Sequence, residues 1–314
     1  MRVLSMVPYS EEALLMLKSR FPKVDFLRPD EISGIEKIDV LLGWDFQKGL
    51  DLIQEYNIKW VQSVSAGIDY FPLNEFKKRQ IVLTKASGLN SERVANFVLM
   101  SCLSVSFSMN SLNHNKIQKK WEIPDDLEDS KDQNVIIFGT GHTGSIIANI
   151  LKNFYRKVDG VNTTGNNIND TFDNVFIIDD ILKRETYSLD YSIVINCLPE
   201  TSKTIYLFNK KLFNKFYDKI SYINVGRGET TNTTDLLDLI SNGKIRHAIL
   251  DVFEQEPLSS NSLIWDCSSI TVTPHIAGML PHFRNKFFDF FANNLSDYLN
   301  NTSLRGIVNY DKEY

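Results

Sequence analysis

Asn134-Val135-Ile136-Ile137-Phe138-Gly139-Thr140-Gly141-His142-Thr143-Gly144 is the stretch that decides the fold. Asn134 to Phe138 reads as a buried strand. The segment after it, 144–154, carries Ile146, Ile147, Ile150 and Leu151 along one helical face. Between strand and helix stands G-x-G-x-x-G. In that position the first glycine makes the tight turn, the second lets backbone N–H groups approach a pyrophosphate, and the third packs helix on strand. An anion held there lies at the helix N-terminus, where unpaired N–H groups and the helix dipole favour negative charge. The order strand, glycine turn, helix predicts a dinucleotide site and hence NAD(P) as cofactor. His142, inside the loop, is read as facing phosphates or solvent and not as catalytic.

Downstream, strands are expected near 157–161, 175–178, 192–197, 222–224, 248–252 and 270–272. At the end of the second strand of the βαβ unit, here 157–161, an NAD-preferring site places Asp or Glu about 20 residues beyond the loop, to accept from the ribose 2′-hydroxyl. Asn162 occupies that place, followed by Thr163 and Thr164. These three side chains can hydrogen-bond a 2′-phosphate without repelling it, which modestly favours NADP(H) over NAD(H). Asp159 comes three residues too early, and by strand alternation points elsewhere.

Upstream, 3–7, 24–27, 39–42 and 60–64 alternate with helical segments, again the pattern of a parallel sheet. The segment 91–119 reads as one long helix, 121–132 as a loop, and 281–299 as a last long helix. The whole is an α/β chain of two Rossmann-like domains.

A length of 314 residues corresponds to roughly two domains at ~150 residues each. With 43% hydrophobic and 23% charged residues the composition is that of a globular protein. Cys102, Cys197 and Cys267 are too few and too scattered for a disulfide framework or a metal knuckle. His114, His247 and His282 form no zinc-binding spacing, so no metal site is expected. A net charge of −5 argues against a nucleic-acid partner. No segment has the ~18 consecutive apolar residues of a membrane span, and no signal peptide is evident, so a cytoplasmic location is expected.

Four further segments stand in a particular order: Gln62-Ser63-Val64-Ser65-Ala66-Gly67-Ile68-Asp69, Ile223-Asn224-Val225-Gly226-Arg227-Gly228, Leu250-Asp251-Val252-Phe253-Glu254-Gln255-Glu256-Pro257-Leu258 and Thr273-Pro274-His275-Ile276-Ala277-Gly278. With the glycine loop between the first and second, and Asn196-Cys197-Leu198-Pro199 with Thr201 and Thr204, the chain resembles the D-isomer-specific 2-hydroxyacid dehydrogenases over nearly its whole length. The resemblance implies a hydride transfer between NAD(P)H and a 2-oxo acid or D-2-hydroxy acid. It implies a cofactor domain, about 101–279, inserted into a flavodoxin-like substrate domain made of 1–100 and 280–314, with catalysis in the cleft.

By the same resemblance, Arg227, Glu256 and His275 are the catalytic set. The chemistry agrees: Arg227 offers a planar fork for a carboxylate, His275 is a natural general acid and base, and Glu256 would hold the other imidazole nitrogen. Taken singly, each has a structural reading at least comparable with its functional one; their occurrence together carries the assignment. The resemblance also assigns the backbone N–H groups of Ser65, Ala66 and Gly67, with Arg227 and His275, to the substrate. Gly139, Thr140, Gly141, His142, Thr143, Gly144, Asn162, Thr163, Thr164, Leu198, Pro199, Thr204, Val225, Asp251 and Gly278 are assigned to the cofactor. Trp44 reads equally as pocket wall or as core. A homodimer is expected, with the apolar run 94–105 as a contact helix or, alternatively, a core helix. The substrate remains open among glyoxylate, hydroxypyruvate and branched or aromatic 2-oxo acids.

The alternative is a non-enzymatic NAD(P)-sensing protein of the kind seen in the C-terminal-binding corepressors. Against it stand the complete Arg227, Glu256 and His275 set and the absence of disordered flanks. A short-chain dehydrogenase would need Tyr-x-x-x-Lys, which has no suitable place after the glycine loop.

Overall fold

In a computed structural model, which describes every residue except His282, the chain divides into two compact units, Met1–Leu89 with Leu280–Tyr314, and Asn90–Met279. The first unit holds β1 (Arg2–Ser5), α1 (Glu11–Arg20), β2 (Asp25–Leu27), β3 (Val40–Leu42), α2 (Gly49–Glu55), β4 (Trp60–Gln62), α3 (Leu73–Lys78) and β5 (Val82–Thr84). Its strands are all parallel, in the order β2-β1-β3-β4-β5. That is the flavodoxin-like order, with the direction of winding reversing between β1 and β3. Helix α1 starts where the Ser10 side chain accepts from the Ala13 N–H, with Glu11 and Glu12 in its first turn and Lys18 and Arg20 in its last, matching the helix dipole.

The returning helix Phe283–Leu299 closes one face of this sheet. Its Phe287, Phe288 and Phe291 are fully buried, and Phe291 stacks on Trp60 with ring centroids 5.6 Å apart. Each such side chain contributes about 1.5–3 kcal/mol by leaving water. Asn294 of the same helix, also buried, donates to Gln62 Oε1 at 2.9 Å and so ties the return to the end of β4.

The second unit begins with α4 (Ser91–Ser106) and α5 (Met109–Ile117). The single helix expected over 91–119 is thus two, bent by 63°. Ser101 and Ser106 bond back to the carbonyls of Phe97 and Cys102, which weakens the ladder, and Ser108 takes left-handed backbone at φ 49°. Helix α4, which a boundary at residue 100 would divide, lies whole in this unit. Ala95, Val98, Cys102 and Val105 are buried with Ile147, Ala148 and Leu151 of the helix His142–Leu151. One face of 94–105 therefore packs in the core of this unit, while Met100 on the same helix is exposed.

There follow β6 (Asn134–Phe138), α6 (His142–Leu151), β7 (Lys157–Asn162), β8 (Val175–Ile177), α7 (Ile178–Lys183), β9 (Ile193–Asn196), α8 (Lys210–Phe213), β10 (Ile220–Asn224), α9 (Thr233–Ser241), β11 (Ile245–Leu250) and β12 (Ile270–Val272). All strands are parallel in the order β12-β11-β10-β9-β6-β7-β8. Read from the other edge this is the doubly wound 3-2-1-4-5-6 order with one strand added. The topology reverses between β6 and β9, which places the ligand crevice of such a sheet at the carboxyl ends of these two strands. Both faces are covered, so β6 and β10 are buried at every position. Among the described residues no single helix is long and apolar enough to cross a membrane.

Candidate active site

The glycine loop leaves the end of β6 as its sequence requires. Gly139 has φ +105°, and a Cβ on Gly144 would lie 1.9 Å from the Gly139 carbonyl oxygen, so any side chain there would force helix α6 off the strand. A Cβ on Gly141 would meet nothing within 4 Å, and the N–H groups of His142 and Thr143 have no partner among the described residues. An open cradle over unpaired helix N-terminal donors fits a dinucleotide pyrophosphate. Sequence reasoning did not find what anchors this loop from outside: Ser91 and Thr143 hydroxyls meet at 2.8 Å, so the start of α4 holds the start of α6.

At the end of β7, Asn162 donates to Thr140 Oγ1 at 2.7 Å and to the Asn166 carbonyl at 2.9 Å. Its oxygen accepts from the N–H groups of Thr164 and Gly165. The amide therefore builds the turn and links it to the glycine loop, and both of its hydrogens are already engaged. Asn162 therefore has no amide hydrogen left for a ligand, while Thr163 and Thr164 stay exposed. Asp159 is buried, bonded to Tyr191, Asn174 and Lys157, as its place in the strand alternation requires.

The ends of β9 and β10 share a buried polar network. Asn196 donates to Asn224 Oδ1 at 3.1 Å and Thr230 Oγ1 at 2.6 Å. Asn224 donates to Thr231 Oγ1 and, at 3.2 Å, to the Arg227 carbonyl, which also accepts from Thr230 Oγ1 at 2.5 Å. The Arg227 backbone is thus gripped from below. Its two glycine neighbours explain themselves by contact. A Cβ on Gly226 would lie 2.5 Å from the Leu198 carbonyl, and one on Gly228 would lie 1.9 Å from the carbonyl carbon of Phe253. Arg227 therefore stands between the Leu198 segment and the segment that carries Glu256, with its Nη1 donating to the Gly226 carbonyl at 2.9 Å. Val225 donates to the Asn196 carbonyl, and the Pro199 loop is tied by Thr204, whose hydroxyl donates to the Pro199 carbonyl at 2.7 Å.

Beyond β12, His275 Nδ1 lies 2.7 Å from Glu256 Oε2. A carboxylate only accepts, so Nδ1 carries the hydrogen. Glu256 is itself held by the Phe253 N–H, which donates to Oε1 at 3.0 Å. Nε2 of the half-exposed imidazole has no partner among the described residues. The backbone of His275 is in the left-handed region at φ 54°, kept there by its N–H donating to the Asp251 carbonyl at 2.9 Å. The Asp251 side chain, fully buried, accepts from Thr273 Oγ1, the Ile276 N–H and the Ala277 N–H at 2.6, 2.8 and 2.9 Å. Its geometric work is to order residues 273–277, a role that the sequence reading did not assign. His247, inside β11, is buried against Thr271. His282 lies outside the described residues.

In the first unit, the turn after β4 carries Ser65, Ala66 and Gly67. The Ser65 N–H already donates to Ser63 Oγ at 3.1 Å, so the donors of this turn without a partner among the described residues are those of Ala66 and Gly67. Trp44 packs on Phe71 and Phe76 with centroids 5.3 Å away in each case, largely as a core side chain.

Residues 99–277 match the family described as D-isomer specific 2-hydroxyacid dehydrogenase, NAD binding domain. An uncharacterized protein from the proB 3′ region of Corynebacterium melassecola is 30% identical over 233 residues, 73% of this chain and 74% of that protein. A glyoxylate reductase of Thermofilum pendens is 26% identical over 266 residues, 81% of this chain and 75% of the other. The crystal structure of an NADPH-dependent glyoxylate/hydroxypyruvate reductase from Sinorhizobium meliloti, solved with NADP and sulfate, shares the fold. Its TM-score is 0.84 at 23% identity, with 100% of this chain and 99% of that one covered. By the family match over more than half of its length, this chain belongs to the D-isomer-specific 2-hydroxyacid dehydrogenases, oxidoreductases that work with NAD(P).

Proposed function

We propose that the protein reduces a 2-oxo acid to a D-2-hydroxy acid, and runs the reverse reaction, with Arg227, Glu256 and His275 as its catalytic residues. The observation that carries this is the His275–Glu256 pair, in which Nδ1 is held at 2.7 Å and Nε2 is left without a partner. A nicotinamide cofactor, when bound, supplies or takes up the hydride. The unpaired N–H groups of the glycine loop, with Gly139 to Gly144, suit its pyrophosphate, while the exposed Thr163 and Thr164 lie at the end of β7 where the ribose of such a cofactor is expected. Leu198, Pro199, Thr204, Val225, Asp251 and Gly278 line the same carboxyl ends of strands or the loops after them and complete the cofactor assignment.

The side chains then divide the work. Arg227 binds the substrate carboxylate with its planar fork and draws electron density from the carbonyl oxygen. His275, as imidazolium, delivers the Nε2 proton to that oxygen as it becomes a hydroxyl, and as neutral imidazole accepts it in the reverse direction. Glu256 keeps the ring oriented and stabilises its positive charge. The N–H groups of Ala66 and Gly67 are donors suited to a carboxylate.

NADP(H) is favoured modestly, because Asn162 presents no charge where a carboxylate would repel a 2′-phosphate. The NADP complex of the Sinorhizobium meliloti reductase supports this reading. A homodimer is supported by the exposed Phe107, Ile117, Trp121 and Ile123, and a monomeric mass by light scattering would contradict it.

Initial rates of NADPH and, separately, NADH oxidation over a panel of 2-oxo acids test the reading. Turnover with NADPH above NADH agrees with both parts of it. Faster turnover with NADH removes the cofactor preference alone. Tight cofactor binding without any turnover favours the sensing protein instead.

A further inference from the structure

The first unit carries an aromatic ladder at the carboxyl end of its sheet, and the glycine-loop chemistry does not use it. Strands β3 and β4 are neighbours, so the segment after β3 and the turn after β4 leave the sheet side by side. The segment after β3 is set by Asp45, whose Oδ1 accepts from the N–H groups of Gln47 and Lys48, both at 2.8 Å. This presents Phe46 to solvent, 73% exposed, with its ring 5.1 Å from that of Tyr70. Tyr70 stacks in turn on Phe71 at 4.6 Å. A large aromatic ring left in water is costly unless something covers it.

The Tyr70 hydroxyl joins this ladder to the anion turn. Ser65 Oγ donates to the Gly67 carbonyl at 2.6 Å, so it accepts from Tyr70, 2.7 Å away. That chain of two hydrogen bonds holds the turn in the shape that leaves the Ala66 and Gly67 N–H groups without partners. One side chain therefore both fixes the donors suited to a carboxylate and supports an exposed aromatic face beside them.

We infer that Phe46, backed by Tyr70, selects 2-oxo acids with a large apolar or aromatic substituent over glyoxylate and other small ones, and that Tyr70 positions the carboxylate turn through Ser65. The inference rests on the 2-oxo acid reductase reading and names its substrate class. A substrate anchored by its carboxylate at Ala66 and Gly67 lays its substituent on the Phe46 face, removing apolar surface from water on both partners. Glyoxylate has no substituent to place there.

The test is kcat/KM for phenylpyruvate and for glyoxylate, with NADPH and with NADH, in the wild type, Phe46→Ala and Tyr70→Phe. Wild type is expected to favour phenylpyruvate by at least about tenfold. Phe46→Ala, exposed and so tolerated by the fold, is expected to reduce that ratio by about tenfold. Tyr70→Phe keeps the ring and loses the hydroxyl, and should raise KM for both acids several-fold with little change in their ratio or in kcat. A wild type that prefers glyoxylate, a ratio unmoved by Phe46→Ala, or a KM unmoved by Tyr70→Phe overturns the inference and leaves the reductase reading standing. No turnover of either acid by protein that binds the cofactor overturns both.

Discussion

His247 within β11 and His275 just beyond β12 belong to the same edge of the second unit's sheet, yet their surroundings prepare them for opposite fates. His247 is enclosed, meets Thr271 Oγ1 at 3.0 Å and has the Arg246 guanidinium as its sequence neighbour. Burial first, and the Arg246 charge second, hold its imidazole down at about 4, so it is neutral at physiological pH. His275 is half-exposed, its Nδ1 faces a carboxylate, and its Nε2 has no partner among the described residues. What separates a structural from a catalytic histidine here is the neighbour on one nitrogen and the access left at the other.

Altering Glu256 breaks the contrast most strongly. Glu256→Gln removes the charge that supports the imidazolium and is expected to lower kcat by about a hundredfold, with the cofactor Kd unchanged. Initial rates and a cofactor fluorescence titration check this. Asp251→Asn disturbs the contrast less. It turns an acceptor towards the N–H groups of Ile276 and Ala277 into a group that is partly a donor, which loosens the segment under His275. About a tenfold loss in kcat, with a lower melting temperature, is expected.

His247→Asn sharpens the comparison from the other side and should leave kcat unchanged. Its effect is on acid stability. The unfolded chain binds a proton at this histidine below pH about 6.5, whereas the folded protein does so only below about 4. Stability is therefore lost as pH falls through that window and is unaffected by this group above it. Between pH 8 and pH 5 the loss from His247 is about 2 kcal/mol. The variant should lose correspondingly less than the wild type, which urea midpoints at the two pH values would show.

Much of this arrangement is legible in the sequence, and the reasons differ by region. The glycine loop and the buried run of β6 announce themselves because tight backbone contact admits few residue types, as the clash at Gly144 illustrates. The segments around Arg227, Glu256 and His275 are found through family resemblance, since each alone has a structural reading at least as good as its functional one. The bend at Ser108 was not legible: helix-compatible residues run on through 91–119, apolar at the start and polar towards the end, and only the serine side chains bonded back to the backbone reveal the break. Strand β5 was not read from the sequence, although Ile81-Val82-Leu83 is a short apolar run like those of β3 and β4. The engagement of Asn162 with Thr140, and of Tyr70 with Ser65, depends on contacts between segments that a sequence does not display.

The most direct test of the central claim compares His275→Gln with the wild type, measuring kcat for 2-oxo acid reduction and the Kd of the nicotinamide cofactor on the same preparations. The predicted result is a loss of about a thousandfold in kcat, with cofactor affinity retained. Turnover within a few-fold of wild type would contradict the assignment of His275 as the proton donor.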